Sequence, residues 1–281
     1  MPLDVAAEVL WNTHLSSGFH VLGLAAPDIA ERTLPGQFVM LKSGDRLEPL
    51  LRRPFSVFEV LKENGAIVGV SILSKKIGPA TSLLFDARPG DRIHCLGPLG
   101  RPFVPVAPPD EAWMVAGGVG LAPFATLADA LSARGVPSTL YYGARRADEL
   151  FFLDAFERRG VRLSLTTEDG SRGAPGPAGG RREWVSGSGR VTLPLERDLK
   201  ARPKSASVTV YACGPEPMLA AVARLASACG RPSQVSVERV MGCGLGGCYS
   251  CVIPINTAEG RPHYVRSCLA GPVFRGDEIA W

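Results

Sequence analysis

Four cysteines in the last fifth of the chain carry a spacing with chemical meaning. Cys243, Cys248, Cys251 and Cys268 read C-x4-C-x2-C…C, the first three within Met241-Gly242-Cys243-Gly244-Leu245-Gly246-Gly247-Cys248-Tyr249-Ser250-Cys251. This is the plant-type spacing of a [2Fe-2S] cluster. Two irons need four converging thiolates, and three come from one tight loop. The glycines let that loop wrap closely and aim backbone N–H groups at sulfur, which stabilises an anionic cluster and raises its potential. Structural zinc is the competing reading, but zinc sites usually show paired C-x2-C knuckles, and only one short pair stands here. A disulfide framework belongs to small secreted chains.

The rest of the chain must position that loop. Its 281 residues suffice for two ordinary domains and a small one. A hydrophobic content of 46% with 21% charged residues describes a globular protein. A net charge of +4 gives no reason to expect nucleic acid or a polybasic membrane anchor. Met1-Pro2-Leu3-Asp4-Val5 lacks the basic and apolar regions of a signal peptide, and no apolar run has membrane-spanning length. A cytoplasmic setting is expected, where thiols serve metals or catalysis. Cys95, Cys213 and Cys229 remain outside the four-cysteine pattern.

The first hundred residues alternate short apolar runs with Gly and Pro turns. Phe19-His20-Val21-Leu22-Gly23-Leu24, Phe38-Val39-Met40-Leu41, Ala66-Ile67-Val68-Gly69-Val70-Ser71-Ile72-Leu73 and Asp91-Arg92-Ile93-His94-Cys95-Leu96 are such runs. The rhythm predicts an antiparallel barrel. Within it, Arg52-Arg53-Pro54-Phe55-Ser56-Val57 joins a guanidinium suited to phosphate with a hydroxyl able to bond a flavin edge. Ile77-Gly78-Pro79-Ala80-Thr81-Ser82-Leu83-Leu84 reads as a helix start whose N–H groups suit a pyrophosphate, or as a plain helix cap.

Pro102, Pro105, Pro108 and Pro109 mark a linker. Beyond it, Trp113-Met114-Val115-Ala116 enters the turn Gly117-Gly118-Val119-Gly120-Leu121-Ala122-Pro123, and a helical pattern follows over 125–133. Strand, glycine turn and helix form a pyrophosphate cradle, although this is not G-x-G-x-x-G. Thr139-Leu140-Tyr141-Tyr142-Gly143 is a second strand ending in a glycine turn, and Arg162-Leu163-Ser164-Leu165-Thr166-Thr167 a third. Val208-Thr209-Val210-Tyr211-Ala212-Cys213-Gly214-Pro215 leads from strand to helix. Alternating β and α units predict a parallel sheet. Glu168 and Asp169 follow the third strand, where carboxylates suit a free ribose 2′-hydroxyl, so NAD(H) is expected over NADP(H); Arg145 and Arg146 weigh the other way. The Gly-, Pro-, Arg- and Ser-rich tract 171–190 reads as a mobile surface loop. Val252-Ile253-Pro254-Ile255 and His263-Tyr264-Val265-Arg266 read as a hairpin, and Trp281 as a frayed end.

In order, these segments resemble the ferredoxin–NADP reductase superfamily. There an R-x-x-S string holds the flavin, a Gly-then-Thr/Ser turn its pyrophosphate, and G-G-x-G-x-x-P and C-G-P loops the nicotinamide nucleotide. The resemblance implies FAD contacts at Arg53, Pro54, Phe55 and Ser56, at Ser71, Ile72 and Leu73, and at Gly78, Pro79 and Thr81. It implies NAD contacts at Gly117, Gly118, Gly120, Pro123, Gly143, Cys213, Gly214 and Pro215; by its residue type alone, Cys213 could equally be a small buried hydrophobe. The expected fold is α/β plus β: an antiparallel flavin-binding β-barrel over 1–104, a parallel α/β nucleotide-binding domain over 110–233 and a small C-terminal [2Fe-2S] domain over 234–281.

The final Gly271-Pro272-Val273-Phe274-Arg275-Gly276-Asp277-Glu278 narrows the resemblance to the electron-transfer subunit of type B dihydroorotate dehydrogenase. That family implies an FMN-containing catalytic subunit as partner, a two-plus-two heterotetramer and a role in pyrimidine synthesis. Electrons would pass from dihydroorotate through the partner's FMN, the cluster and FAD to NAD⁺. No acid–base pair is expected for the hydride step. The alternatives are a reductase subunit feeding an oxygenase, hydrogenase or sulfur-reducing partner, a redox sensor, and a zinc scaffold.

Overall fold

Six strands with one apolar face each close on themselves in the first hundred residues. They are β1 (Leu3–His14), β2 (Phe19–Ala25), β3 (Phe38–Ser43), β4 (Arg53–Glu63), β5 (Ala66–Lys75) and β6 (Arg92–Leu99). Their order around the closed barrel is β1-β2-β5-β4-β3-β6, antiparallel throughout. Closure leaves no free sheet edge. Ala7, Val9, Leu22, Leu24, Val39, Leu41, Val57, Val70, Ile72 and Ile93 meet inside. Two short helices, α1 (Pro27–Ala30) and α2 (Pro79–Phe85), follow β2 and β5. Asn12 of β1 holds the end of α2 by donating to the carbonyls of Leu84, Phe85 and Ala87. The runs named from sequence are β2, β3, β5 and β6; β1 and the full length of β4 were not separated there.

This is a computed structural model, and it describes residues 1–281 except 45–47, 175, 177–181, 186, 204 and 258–260. The chain divides into two compact units. One comprises Met1–Phe103, Arg239–Ile253 and Tyr264–Pro272; the other comprises Val104–Glu238, Pro254–His263 and Val273–Trp281. The segment 234–281 contributes residues to both units.

The second unit is a seven-stranded sheet. Its strands are β7 (Glu111–Gly117), β8 (Ser138–Ala144), β9 (Arg162–Thr167), β10 (Arg182–Trp184), β11 (Val208–Cys213), β12 (Ser233–Ser236) and, after a two-stranded ribbon of β13 (Val252–Ile255) and β14 (His263–Arg266), β15 (Val273–Arg275). The order β10-β9-β8-β7-β11-β12-β15 is parallel up to β12, and β15 adds antiparallel at the edge. Helices α3 (Phe124–Ser132), α4 (Leu153–Arg158), α5 (Thr192–Ala201) and α6 (Glu216–Ala228) connect the parallel strands, and α7 (Ser267–Ala270) carries Cys268 in the first unit. The helix α5 was not anticipated from sequence.

Two expectations change here. Part of the tract 171–190 is not a loop: β10 extends β9, and Arg182 reaches Asp154 at 2.5 Å and Glu157 at 2.6 Å on α4. Residues 175, 177–181 and 186 of that tract lie outside the described residues. Trp281 is not frayed, since its indole N–H donates to the Gly276 carbonyl at 2.9 Å. The proline linker, which spans the boundary between the two units, is anchored at Val104 and Val106. The buried Tyr211 hydroxyl donates to the Val104 carbonyl at 3.0 Å and accepts from the Val106 N–H at 3.1 Å. Tyr211→Phe removes both bonds and strands a backbone N–H. It should lower stability by about 2 kcal/mol, read as a shifted urea midpoint with unchanged slope.

Candidate functional site

The cysteine loop lies against the barrel wall within the first unit. Phe38 and Met40 of β3, Leu96 and Leu99 of β6, and Met241 form an apolar cluster with Cys251 and Cys268. Gly244 is what permits this approach. Its φ is +71°, and a Cβ there would stand 2.7 Å from Met40 Cγ and 3.1 Å from Leu99 Cδ1. The loop closes through its own polar groups. Arg266 donates to the Gly246 carbonyl at 2.8 Å and covers the Tyr249 ring at 4.8 Å. The Ser267 N–H donates to the Cys251 carbonyl at 3.0 Å, bringing the helix that bears Cys268 onto the loop.

The thiols stand as two neighbouring pairs, Cys243 with Cys248 and Cys251 with Cys268. Among the described residues no three His, Cys, Asp or Glu side chains gather on a single metal position. Two pairs are what a binuclear cluster takes, one pair per iron. The Leu245 N–H already points at Cys243 Sγ at 3.3 Å. The Ser267 hydroxyl, fully buried beside Cys268, has no hydrogen-bond partner among the described residues and is free to donate toward a cluster held there. The four residues could hold a [2Fe-2S] cluster.

The flavin candidates lie on the same barrel. The two arginines at the start of the motif differ. Arg52 is bound by Asp4, with 2.9 Å to both carboxylate oxygens, whereas among the described residues Arg53 donates to the carbonyls of Leu51 and Arg52. Arg53 thus keeps the cation that a phosphate needs. Arg53, Pro54, Phe55 and Ser56 are half-exposed on β4. On β5 the Ile72 side chain belongs to the barrel core, and Leu73 is buried too, so both could meet a flavin chiefly through backbone. Ser71 is fully buried, and its hydroxyl has no partner among the described residues. At the turn into α2, the Thr81 hydroxyl accepts from the N–H groups of Ile77 and Gly78, both at 2.9 Å, and donates to the Gly78 carbonyl. Thr81 therefore shapes the turn, with Pro79 in the first helical position.

In the second unit the strand order reverses between β7 and β11, the two neighbours at the centre of the sheet. Ligands of open parallel sheets bind at the carboxyl ends of strands at such a switch point. Gly117 ends β7 there and Gly118, Gly120 and Pro123 follow it, while Gly214 and Pro215 follow β11. The two turns touch: a Cβ on Gly120 would fall on the Cys213 carbonyl, and one on Gly117 would meet Pro215 and Met218 at 2.9 Å. Gly143, at the end of β8, faces Val191 and the Thr166 hydroxyl. Asp169 accepts from the Ser171 N–H at 2.9 Å and hydroxyl at 2.6 Å, which holds its carboxyl below the usual range and keeps it ionised.

These three arrangements have counterparts in known proteins. Residues 238–280 match the iron–sulfur cluster binding domain of dihydroorotate dehydrogenase B, and residues 114–224 match the oxidoreductase NAD-binding domain. The dihydroorotate dehydrogenase B (NAD(+)) electron transfer subunit of Desulforamulus reducens is 32% identical over 277 residues, which is 98% of this chain and 97% of that one. That of Geobacillus thermodenitrificans is 36% identical over 261 residues, 92% and 91% of the two chains. The chain belongs to the family of dihydroorotate dehydrogenase B electron transfer subunits. Among solved structures, an NADH-dependent reduced ferredoxin–NADP oxidoreductase described for flavin-based electron bifurcation superposes with a TM-score of 0.78 at 26% identity, covering 99% of this chain and 90% of that one. A ferredoxin–NADP⁺ reductase of Neisseria gonorrhoeae shares the fold, with a TM-score of 0.59 at 20% identity over 81% and 92% of the chains.

As a member of this family of electron transfer subunits, the chain is an NAD-dependent oxidoreductase component with an iron–sulfur domain. No helix among the described residues is long and apolar enough to cross a membrane. Its cysteines are sorted by environment. Burial pushes the Cys213 thiol far up, with the Glu238 carboxylate adding to it. Neutral and enclosed, Cys213 behaves as a small apolar residue whose backbone, with Gly214, lines the switch point. Cys248 is exposed, and hydrogen bonds, first of all from Ser250, pull it down to about 6. In metal-free protein at pH 7 it should thus be mostly thiolate. Iodoacetamide should alkylate Cys248 well before Cys213 at that pH, and its rate at Cys248 should fall about tenfold by pH 5 as the thiolate is protonated. Peptide mass spectrometry of timed samples reads both.

Proposed function

We propose that this chain carries electrons from an FMN-containing dihydroorotate dehydrogenase catalytic subunit to NAD⁺, through a [2Fe-2S] cluster on Cys243, Cys248, Cys251 and Cys268 and an FAD on the barrel. The observation that supports this most directly is a register. Phe38 and Met40, which floor the cysteine loop, pair across β3 and β4 with Ser56 and Pro54 of the flavin string. Neighbouring strands lie about 4.8 Å apart, so the two candidate sites share adjacent strands of one barrel.

Nicotinamide exchanges a hydride and the cluster single electrons, so bound FAD supplies the conversion between them. The residues do the positioning. Arg53 and the Gly78–Thr81 turn would hold phosphate, and Ser56 the ring edge. Gly117, Gly118 and Gly120 with Gly214 and Pro215 would hold the nicotinamide nucleotide. Buried Ile72 and Leu73 keep water from the barrel side.

The partner reading rests on exposed apolar residues around the cysteines. Leu245 is 53% exposed and Tyr249 62%, and Val240, Val252 and Leu269 are exposed as well. So many large apolar side chains on one short segment suit a protein surface. We assign that surface to the catalytic subunit, in a complex with two copies of each chain in the cytoplasm, with 1–104, 110–233 and 234–281 as the flavin, nicotinamide and cluster segments. The likeness to a ferredoxin–NADP oxidoreductase keeps one alternative, a reductase subunit with a different redox partner.

Co-expression with a dihydroorotate-oxidising FMN protein decides between them. A stable complex should turn dihydroorotate and NAD⁺ into orotate and NADH. A chain that never associates, and whose visible bands dihydroorotate never bleaches, rules this reading out. Leu245→Asp should weaken the complex at least tenfold in Kd while NADH-driven dye reduction by the isolated chain persists. In the same dye assay NADH should outperform NADPH, and the reverse preference would count against the ribose role of Glu168 and Asp169.

A further inference from the structure

Ser250 occupies an unusual place in the loop. Its hydroxyl oxygen accepts the Gly242 N–H at 3.0 Å and stands 3.1 Å from Cys248 Sγ. A hydroxyl has one proton to give. With its oxygen engaged by an incoming N–H, that proton is left to point at sulfur. A metal-bound cysteine has no proton of its own, so at a loaded site only Ser250 can be the donor in this contact.

We propose that Ser250 is a positioning residue for the electron-transfer step, a relay from the Gly242 N–H through its hydroxyl to Cys248 Sγ that raises the reduction potential of the cluster. The inference rests on the cluster assignment above. Reduction adds one electron and transfers no proton. The added negative charge spreads onto the ligand sulfurs, so an O–H···S bond strengthens on reduction and favours the reduced form. The N–H behind the hydroxyl polarises it further in the same direction. The Cys251–Cys268 pair differs: both thiols are buried, and the Ser267 N–H there is spent on the Cys251 carbonyl. The relay therefore acts on the less buried pair, Cys243 and Cys248.

The test is an EPR-monitored redox titration of the full chain, with iron content measured on each sample. Ser250→Ala and Ser250→Val should both lower the cluster midpoint by about 59 mV, a tenfold change in the one-electron equilibrium. Ser250→Thr, which differs from the Val variant by a hydroxyl in place of a methyl, should keep the parental value. The flavin midpoint should not move in any of them. An unchanged cluster potential in the Ala and Val variants overturns the proposal, as does a Thr variant shifted as far as Val. If the parental chain binds no iron at all, the cluster assignment itself fails, and that result is distinct from either of the others.

Discussion

A loop stripped of side chains against a wall of methionine and leucine is the contact on which the arrangement depends. Gly244 meets Met40 and Leu99 at a distance that no other residue could keep, and its positive φ turns the chain there. The same contact does two things. It buries Cys251 and Cys268 against the barrel, and it leaves Cys248, Leu245 and Tyr249 outward. One side of the loop is thus committed to the strands that pair with the flavin string, and the other stays open to a second protein. A wider loop would lose the first relation, and a deeper one the second.

Much of this was legible in the sequence, because the features involved are local. The cysteine spacing, the glycine turns after β7 and β8, the hairpin β13–β14 and the helix start at Gly78 each depend on a few consecutive residues. What the sequence hid is long-range. The strand β1 mixes Asn12, Thr13 and His14 with its apolar positions, and a bulge between Val9 and Trp11 breaks its alternation. The strand β15 has three residues and exists only because β12 offers an edge. The strand β10 likewise borrows its order from β9 and from the Arg182 ion pairs. The sharing of 234–281 between two units follows from pairings such as Arg101 with Pro272 and Val235 with Phe274, which no periodicity announces. At the sites, the residue types were readable but their division of labour was not. Arg52 and Arg53 look alike in sequence, and only Asp4 tells them apart.

The cysteines show why residue type alone underdetermines a site. Cys95 lies inside the barrel, where burial pushes its thiol up to about 12, and Cys213 is enclosed at the switch point. Both are chemically quiet because a thiolate there would lose its hydration with little in return. Cys268 is also pushed up to about 12, by burial first and by its neighbour Cys251 second. Its surroundings resemble those of the quiet cysteines, yet it stands in the ligand pattern. The difference is the partner: a metal ion can replace the proton, and the charge of the iron offsets the desolvation that holds the thiol neutral. Burial of Cys251 and Cys268 is therefore no obstacle to ligation. In the proposed cluster it would make that half of the site dependent on metal, while Cys248, already pulled toward the thiolate by Ser250, would be ready to bind before any metal arrives.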